Sequence, residues 1–381
     1  MALHKNITVF PKLFLEERVK KLYSSFEYFN EEIINEGLNT AYEDFYSFKL
    51  IPEYFKLNQR NSEYKTKKIP QHNWGYAILL NKARSVDHYL QLQFNSKKRS
   101  IVKRYINRLE SCFDIHYKLY YGDLSKADYH SIMESLKNMI AVRFKELNDT
   151  HKNLREWDFL LSSTYDKIIN KTASLFVIYN REEPIEISLN YHYHKILFSY
   201  VSSYNIDYSK FGLGHVEIFK QIEWCLKNDY ILFEMGVGGT DYKRRWSNHI
   251  YRYYHYIVYS NKAILSGTYN TLKYSLKEYL KSKTPEKISQ KLSNIKKRHR
   301  KIPEVLITHK ETTNTDTNLN SKMSNAKVID FNDKPNRFLR KHVFNFLYAT
   351  VYHNKTIKVY KISDKEYVIK GKEKYQSIVL Y

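Results

Sequence analysis

The sequence predicts a mixed α/β (α+β) fold: a mostly antiparallel sheet flanked by helices, followed by a small C-terminal α+β extension. Three observations predict it. Strand-like runs succeed one another across tight turns between Ala173 and Tyr204, which implies an antiparallel meander. Apolar residues recur at helical spacing in Lys97–Glu110, Tyr129–Leu147 and from His215 onward. A further apolar run, Tyr230–Met235, follows that last helix and extends the layer through a crossover. With 381 residues the chain can bury a large core and fits two or three domains. The expected division is 1–125, an N-terminal α/β subdomain; 126–280, the main domain; 281–334, a basic and polar linker; and 335–381, the extension.

In chain order, Phe14–Glu32 reads as helical and Phe45–Leu57 as a short strand or turn region around Pro52. Trp74–Leu80 (WGYAILL) reads as a buried strand. In the basic helix Lys97–Glu110, Ile101, Tyr105 and Leu109 fall four apart on one face, with Lys97, Lys98, Arg99, Lys103, Arg104 and Arg108 on the others. Such a face is either solvated or a contact for phosphate, tRNA or a membrane. Phe113–Tyr120 then reads as a strand. The helix Tyr129–Leu147 turns Ile132, Leu136, Met139, Ile140, Phe144 and Leu147 inward, with Arg143 beside that stripe, and Trp157–Ile169 is a further helix. Ala173–Tyr179, Ile185–His194 and Ile196–Tyr204 form the meander. After Trp246, His249–Ser260 is a strand and Asn270–Lys281 a helix. The extension holds a helix, Asn336–Tyr348, and two strands, Thr356–Ile362 and Glu366–Lys370.

The formal charge of +23 points to an anionic partner, but Lys281–Lys301 alone holds nine basic residues and one Glu, leaving +15 for the rest. The composition is tyrosine-rich, with 36 Tyr against 10 Gly, and a plain compositional bias accounts for that as well as a lined cleft does. The two cysteines, Cys112 and Cys225, sit among apolar neighbours on helices and read as buried free thiols. No Cys/His spacing suggests a metal. No run of about twenty apolar residues suggests a membrane span, so a cytoplasmic, soluble protein is expected.

The stretch Ile196–Trp246 carries most of the chemistry. Its turn, Ser209-Lys210-Phe211-Gly212-Leu213-Gly214-His215, lets the backbone swing sharply into a helix. The N–H groups of Gly212, Leu213, Gly214, His215 and Val216 are placed to receive an anion, with Lys210 and His215 adding charge. A second glycine loop, Glu234-Met235-Gly236-Val237-Gly238-Gly239, follows the next strand and runs into Tyr242-Lys243-Arg244-Arg245-Trp246. Alone, each turn fits a tight connection under a sheet as readily as a binding site.

The order of an apolar strand, Phe211-Gly212-Leu213-Gly214 and a helix, then a strand with Glu234-x-Gly236-x-Gly238 and Tyr242-Lys243-x-x-Trp246, resembles the GNAT acyltransferase superfamily. The likeness is to its CelD/BioF-like branch, related to Fem-type aminoacyl transferases, and spans roughly residues 75–280. It departs from the family at Glu234, where Asp is common, at Val237, where arginine is usual, and at Gly212-Leu213-Gly214. The resemblance implies a GNAT-like sheet, with residues 1–125 as a degenerate first copy of the fold. It implies transfer of an acyl group from acetyl-CoA or a longer acyl-CoA to a small-molecule amine, by direct attack and without a metal. Cell-envelope or polysaccharide metabolism is the expected setting. Aminoacyl-tRNA as donor and a non-enzymatic, nucleic-acid-binding role stay open, as does contact of the basic patches with tRNA or an anionic membrane. The candidates for the proton-transfer machinery are Tyr242, Lys243, Glu234, Glu186 and His192, the last two on an alternating strand that could equally face solvent. Arg143, Tyr204 and Trp246 are the candidates for substrate contact.

Overall fold

The structure, a computed structural model, describes residues 17–35, 43–146, 154, 156–238, 241–283, 307–310 and 326–380. Helix α1 (Glu17–Leu22) leads into β1 (Tyr23–Tyr28), β2 (Glu31–Ile34), β3 (Phe45–Pro52), β4 (Phe55–Gln59) and the long β5 (Tyr64–Leu79). Next come α2 (Val86–Gln93), α3 (Ser96–Cys112), β6 (Ile115–Tyr120), α4 (Lys126–Glu146) and α5 (Trp157–Ile169). The meander β7 (Ala173–Asn180), β8 (Glu183–Tyr193) and β9 (Ile196–Tyr204) feeds a 3-10 turn, Ile206–Phe211, and then α6 (Leu213–Lys227). After it lie β10 (Leu232–Val237), α7 (Asp241–Trp246), β11 (His249–Ser260) and α8 (Ile264–Lys283). The C-terminal part comprises β12 (Ile307–Lys310), β13 (Lys327–Ile329), a 3-10 turn at Lys334–Leu339, α9 (Arg340–Thr350), β14 (Lys358–Lys361), β15 (Glu366–Lys370) and β16 (Tyr375–Leu380).

Eight strands form the main sheet in the order β3-β11-β5-β10-β9-β8-β7-β6. Every neighbouring pair is antiparallel except β9 and β10. Both faces are covered, so central strands read as continuous apolar runs. In β7, Leu175 and Val177 enter one core with Leu136 of α4 and Trp157 of α5, while Phe176 and Ile178 enter the other with Ile106 of α3 and Ile222 of α6. Cys112 and Cys225 are buried free thiols in that second core. The mostly antiparallel sheet, its flanking helices and the small C-terminal sheet are thus as the sequence implies.

Several local expectations change. Within Phe14–Glu32 the described helix is only Glu17–Leu22; the aromatic, β-prone segment from Tyr23 pairs instead as β1, in a three-stranded sheet ordered β2-β1-β4. The boundary expected at 125/126 falls inside the main sheet, because β5 hydrogen-bonds to β10 and β11 and β6 to β7. On α3 the buried face is Val102, Ile106 and Leu109, one position round from the expected Ile101 and Tyr105. Three of its cations have partners: Arg99 donates to the Phe94 carbonyl, Lys103 pairs with Asp87, and Arg108 donates to the Tyr348 carbonyl. Of the expected basic linker, 284–306 and 311–325 lie outside the described residues.

The extension packs on the main domain. The Phe344 ring of α9 lies 5.0 Å from Phe113 and 4.5 Å from Tyr208 in the 3-10 turn. Arg340 Nη2 donates to both Glu183 oxygens at 2.8 Å, and its Nε lies 3.3 Å from Asp207. The extension therefore braces the turn that delivers Gly212.

Candidate active site

The cleft starts where the one parallel strand pair comes apart. β10 pairs with β9 only at Leu232–Ile196, Phe233–Leu197 and Glu234–Phe198. Beyond that point β9 continues along β8 as far as Tyr204. β10 instead stays with β5 through a register break between Glu234 and Val237. Gly236, at φ 72°, supplies the left-handed backbone that this bend needs. The wedge between the diverging strands is a cavity of about 180 Å³ lined by Ser199–Ser202 of β9, Phe233 and Met235 of β10, Glu217 and Ile218 of α6, and Tyr242 and Lys243 of α7. A second cavity of about 180 Å³ shares Ser202, Glu217 and Tyr242 with it and runs past Arg143 and Tyr204 to Gly212–His215. The two form one cleft, with the wedge at one end and the start of α6 at the other.

The start of α6 borders the cleft through Gly212–His215. Gly212 is left-handed (φ 62°), and a Cβ there would lie 2.7 Å from the Tyr105 ring. Its carbonyl accepts from His215 N at 2.8 Å, and no side chain caps the first turn. A Cβ at Gly214 would meet nothing within 4 Å, so the backbone there faces open space. His215 is fixed from both sides: Tyr105 stacks on it at 5.6 Å, and Trp246 Nε1–H donates to its Nδ1 at 2.8 Å. Burial, with Arg245 nearby, lowers its pKa, so the ring is neutral and carries its proton on Nε2.

Of the residues singled out from the sequence, Tyr242, Lys243, Gly212, Leu213, Gly214, His215, Arg143 and Tyr204 line this cleft. The Arg143 guanidinium lies 4.9 Å over the Tyr204 ring, and Lys243 Nζ donates to the Met235 carbonyl at 2.5 Å and the Val237 carbonyl at 3.3 Å. The others sit elsewhere. Lys210 is exposed outside the lining, and Val216 is buried in the core beneath α6. Trp246 is fully buried under the helix start, edge-on to Phe94, and acts on the cleft only through His215.

Glu234 points to the opposite face of β10 from Phe233 and Met235, as the pleat requires. There it accepts from Tyr54 Oη at 2.8 Å and Gly236 N at 2.7 Å, and burial raises its pKa to about 7. His192 lies toward the closed end of the sheet, opposite Leu197 and not at the wedge. Its ring nitrogens meet Tyr230 Oη at 2.7 Å and Ser174 Oγ at 2.8 Å, and burial lowers its pKa to about 3. It is a neutral core histidine. Neither it nor Glu186 faces solvent.

The residue that sequence reasoning missed is Glu217. It is 5% exposed, yet it lines both halves of the cleft, and Gln221 Nε2 donates to it at 2.8 Å. Burial raises its pKa to about 7, held down by hydrogen bonds from Ser188, Ser202, Gln221 and Glu186. Behind it lies Glu186, whose two buried oxygens meet no N–H or amide donor among the described residues. Burial and the facing Glu217 push its pKa far up, so Glu186 is protonated and hydrogen-bonds to Glu217. The signal was present in the helix: Glu217 and Gln221 stand one turn apart on the face that also carries Leu213 and Cys225.

Residues 96–244 match the family model described as an acetyltransferase (GNAT) domain, which takes in α3 through most of α7. Over that stretch the chain is similar to a GNAT domain. The wedge, the start of α6, Glu186 and Glu217 all fall inside it. No curated protein sequence matches the chain. Among solved structures, a conserved protein of unknown function from Bacteroides thetaiotaomicron is similar at 9% identity, covering 57% of this chain and 70% of that one (TM-score 0.38). FemX is similar at 8% identity, with 56% and 71% covered (TM-score 0.38). A C-terminal domain provisionally assigned to a lysylphosphatidylglycerol synthetase of Agrobacterium fabrum is similar at 10% identity, with 60% and 71% covered (TM-score 0.35). Among the described residues no group of three His, Cys, Asp or Glu is placed to hold a metal, and no helix is long and apolar enough to cross a membrane.

Proposed function

We propose that the GNAT domain transfers an acyl group from an acyl-CoA thioester directly to an amine. The observation that carries this reading is the continuity of the cleft. An uncapped helix start suited to the donor's pyrophosphate opens into a wedge that ends at a carboxyl group with a pKa of about 7. The open space at Gly214 fits a backbone that an anion approaches closely. The N–H and C=O groups of β9 beyond Phe198, left by β10, suit an extended ligand lying along the strand.

In this reading the amine nitrogen attacks the thioester carbonyl, the C–N bond forms, and the C–S bond breaks. Glu217 takes the proton that the nitrogen loses. The Tyr242 hydroxyl, across the same cleft, returns a proton to the departing thiolate. Glu186 stays protonated and orients Glu217. Glu234 and His192 have no part in these steps. Arg143 serves the phosphate end of the donor. Such a reaction asks mainly for positioning, which accounts for the lack of any nucleophile signature.

A thermal-denaturation screen with coenzyme A and acyl-CoAs of graded chain length tests the donor. Donor at a hundredfold over its Kd should stabilise the fold by about 2.7 kcal/mol. Absence of a shift at every chain length overturns the acyl-CoA assignment. Aminoacyl-tRNA is the second reading, favoured by exposed Lys97, Lys98 and Arg104 on the helix whose Tyr105 stacks on His215. It requires tRNA binding that weakens steeply with salt.

A further inference from the structure

Helix α8 is turned inside out for a helix on a protein surface. Its seam with the sheet is narrow and partly polar: Gly267 lies against the Tyr259 ring, Tyr274 meets His255 edge-on at 4.6 Å, and Glu278 accepts from His72 N at 3.2 Å. Its large apolar side chains are on the other side. Leu265 is 88% exposed, Leu272 67%, Tyr269 65%, Leu276 59% and Tyr279 57%. At 100° per residue these five fall within about 80° of arc, directly opposite the seam. Lys273 and Lys277 line the flank between stripe and seam, both exposed, while Lys281 pairs with Glu278 at 2.6 Å in the seam. The chain then continues into the segment that brings Lys281–Lys301 to nine basic residues against one Glu. A surface helix ordinarily buries its apolar stripe against the body; here that stripe points away from it.

We propose that α8 lies flat on an anionic lipid surface, its leucines and tyrosines in the headgroup–acyl boundary and its lysines on the phosphates. Charge decides between the occupants. Two copies of the chain meeting antiparallel along this stripe would bring their Lys273 and Lys277 rows together on one flank, a repulsion that an anionic bilayer converts to attraction. The stripe, at 20 residues of helix with lysines flanking it, has the form of a helix lying in the interface, and α8 is not apolar enough to span.

The test is flotation of the full chain with vesicles of phosphatidylcholine alone and of phosphatidylcholine with about 30% phosphatidylglycerol. Binding is expected to the anionic vesicles and not to the neutral ones. The variant Leu265→Ser/Leu272→Ser/Leu276→Ser, with unchanged circular dichroism and thermal midpoint because these side chains are exposed, should bind at least about tenfold more weakly. Charge reversal at Lys273→Glu/Lys277→Glu should do the same while leaving the stripe intact. No binding to anionic vesicles overturns the proposal. Wild-type affinity in the serine variant also overturns it, since the basic segment alone would then suffice. A wild-type dimer in sedimentation that the serine variant turns to monomer would assign the stripe to a second copy instead.

Discussion

Replacing Glu217 by Gln separates a proton acceptor from a merely buried carboxyl. In the folded protein Glu217 ionises near pH 7, against 4.5 for an ordinary glutamate. A raised carboxyl pKa means that the fold holds a proton that the unfolded chain has released. The stabilising difference is fully present below pH 4.5 and is lost as pH rises through about 7. At about 1.36 kcal/mol per pKa unit, the loss comes to about 3 kcal/mol by mildly alkaline pH. Thermal midpoints of the wild type should therefore fall by several degrees between mildly acidic and mildly alkaline buffer. Glu217→Gln cannot ionise and should show a flatter profile, with the residual slope owed to Glu186, which is raised in the same direction.

Activity should move the opposite way from stability. With thiol release from acyl-CoA followed against a panel of amines, kcat should drop by about two to four orders of magnitude in Glu217→Gln. The wild-type rise in kcat/KM through pH 7 should be absent from whatever activity is left. A variant within about twofold of the wild type, or a wild-type profile flat across that range, would remove Glu217 from proton transfer.

Two glycines one turn-residue apart should respond in opposite senses. Gly212→Ala places a Cβ 2.7 Å from the Tyr105 ring at φ 62° and should cost about 2 kcal/mol in chemical denaturation. Gly214→Asp enters open space at a helix start, where a negative charge is favourable by about 0.5 kcal/mol, so stability should hold or rise while thermal protection by acyl-CoA disappears. Arg340→Ala removes the guanidinium that Glu183 and Asp207 share behind the 3-10 turn; with Glu183 half-exposed, a loss of about 2 kcal/mol is expected. Its KM for the donor should rise as well, because the turn that carries Gly212 loses its brace.

Elements with strong period and clear punctuation were legible residue for residue: Trp157–Ile169, Ile196–Tyr204, His249–Ser260 and Glu366–Lys370 stand as read. The segment from Tyr23 was not, because aromatic residues mixed with acids satisfy a helical spacing as easily as a strand's alternation. Tyr242–Trp246, read as a loop end, is the helix α7, and that one turn sets Tyr242 and Lys243 on the cleft while burying Trp246. Within the site, the glycine turn was legible because glycines advertise backbone geometry. The carboxyls were not. Glu186, Glu234 and His192 drew attention as ionisable groups on strands, but which face of a strand meets the cleft depends on pairing that no local pattern records. Glu234 lies on the other face of its strand from the cavity, His192 toward the other end of the sheet, and Glu186 in the layer behind the lining.

Glu217 and Gly214 belong to the same helix, and this bears on how the site works. They are three residues apart, a rise of about 4.5 Å along the axis. The backbone groups suited to the donor's phosphates and the carboxyl suited to the amine's proton are thus held by one rigid element. Their separation does not depend on loop conformation. The helix in turn is fixed at its start by Tyr105 and Trp246 through His215, and along its length by the second core. The facing wall, formed by Tyr242 and Lys243, is carried on a short helix that follows Gly236 and Gly238, both at positive φ. In the proposed reaction the donor's phosphates and the proton acceptor would therefore keep one spacing, whatever acyl group the donor carries.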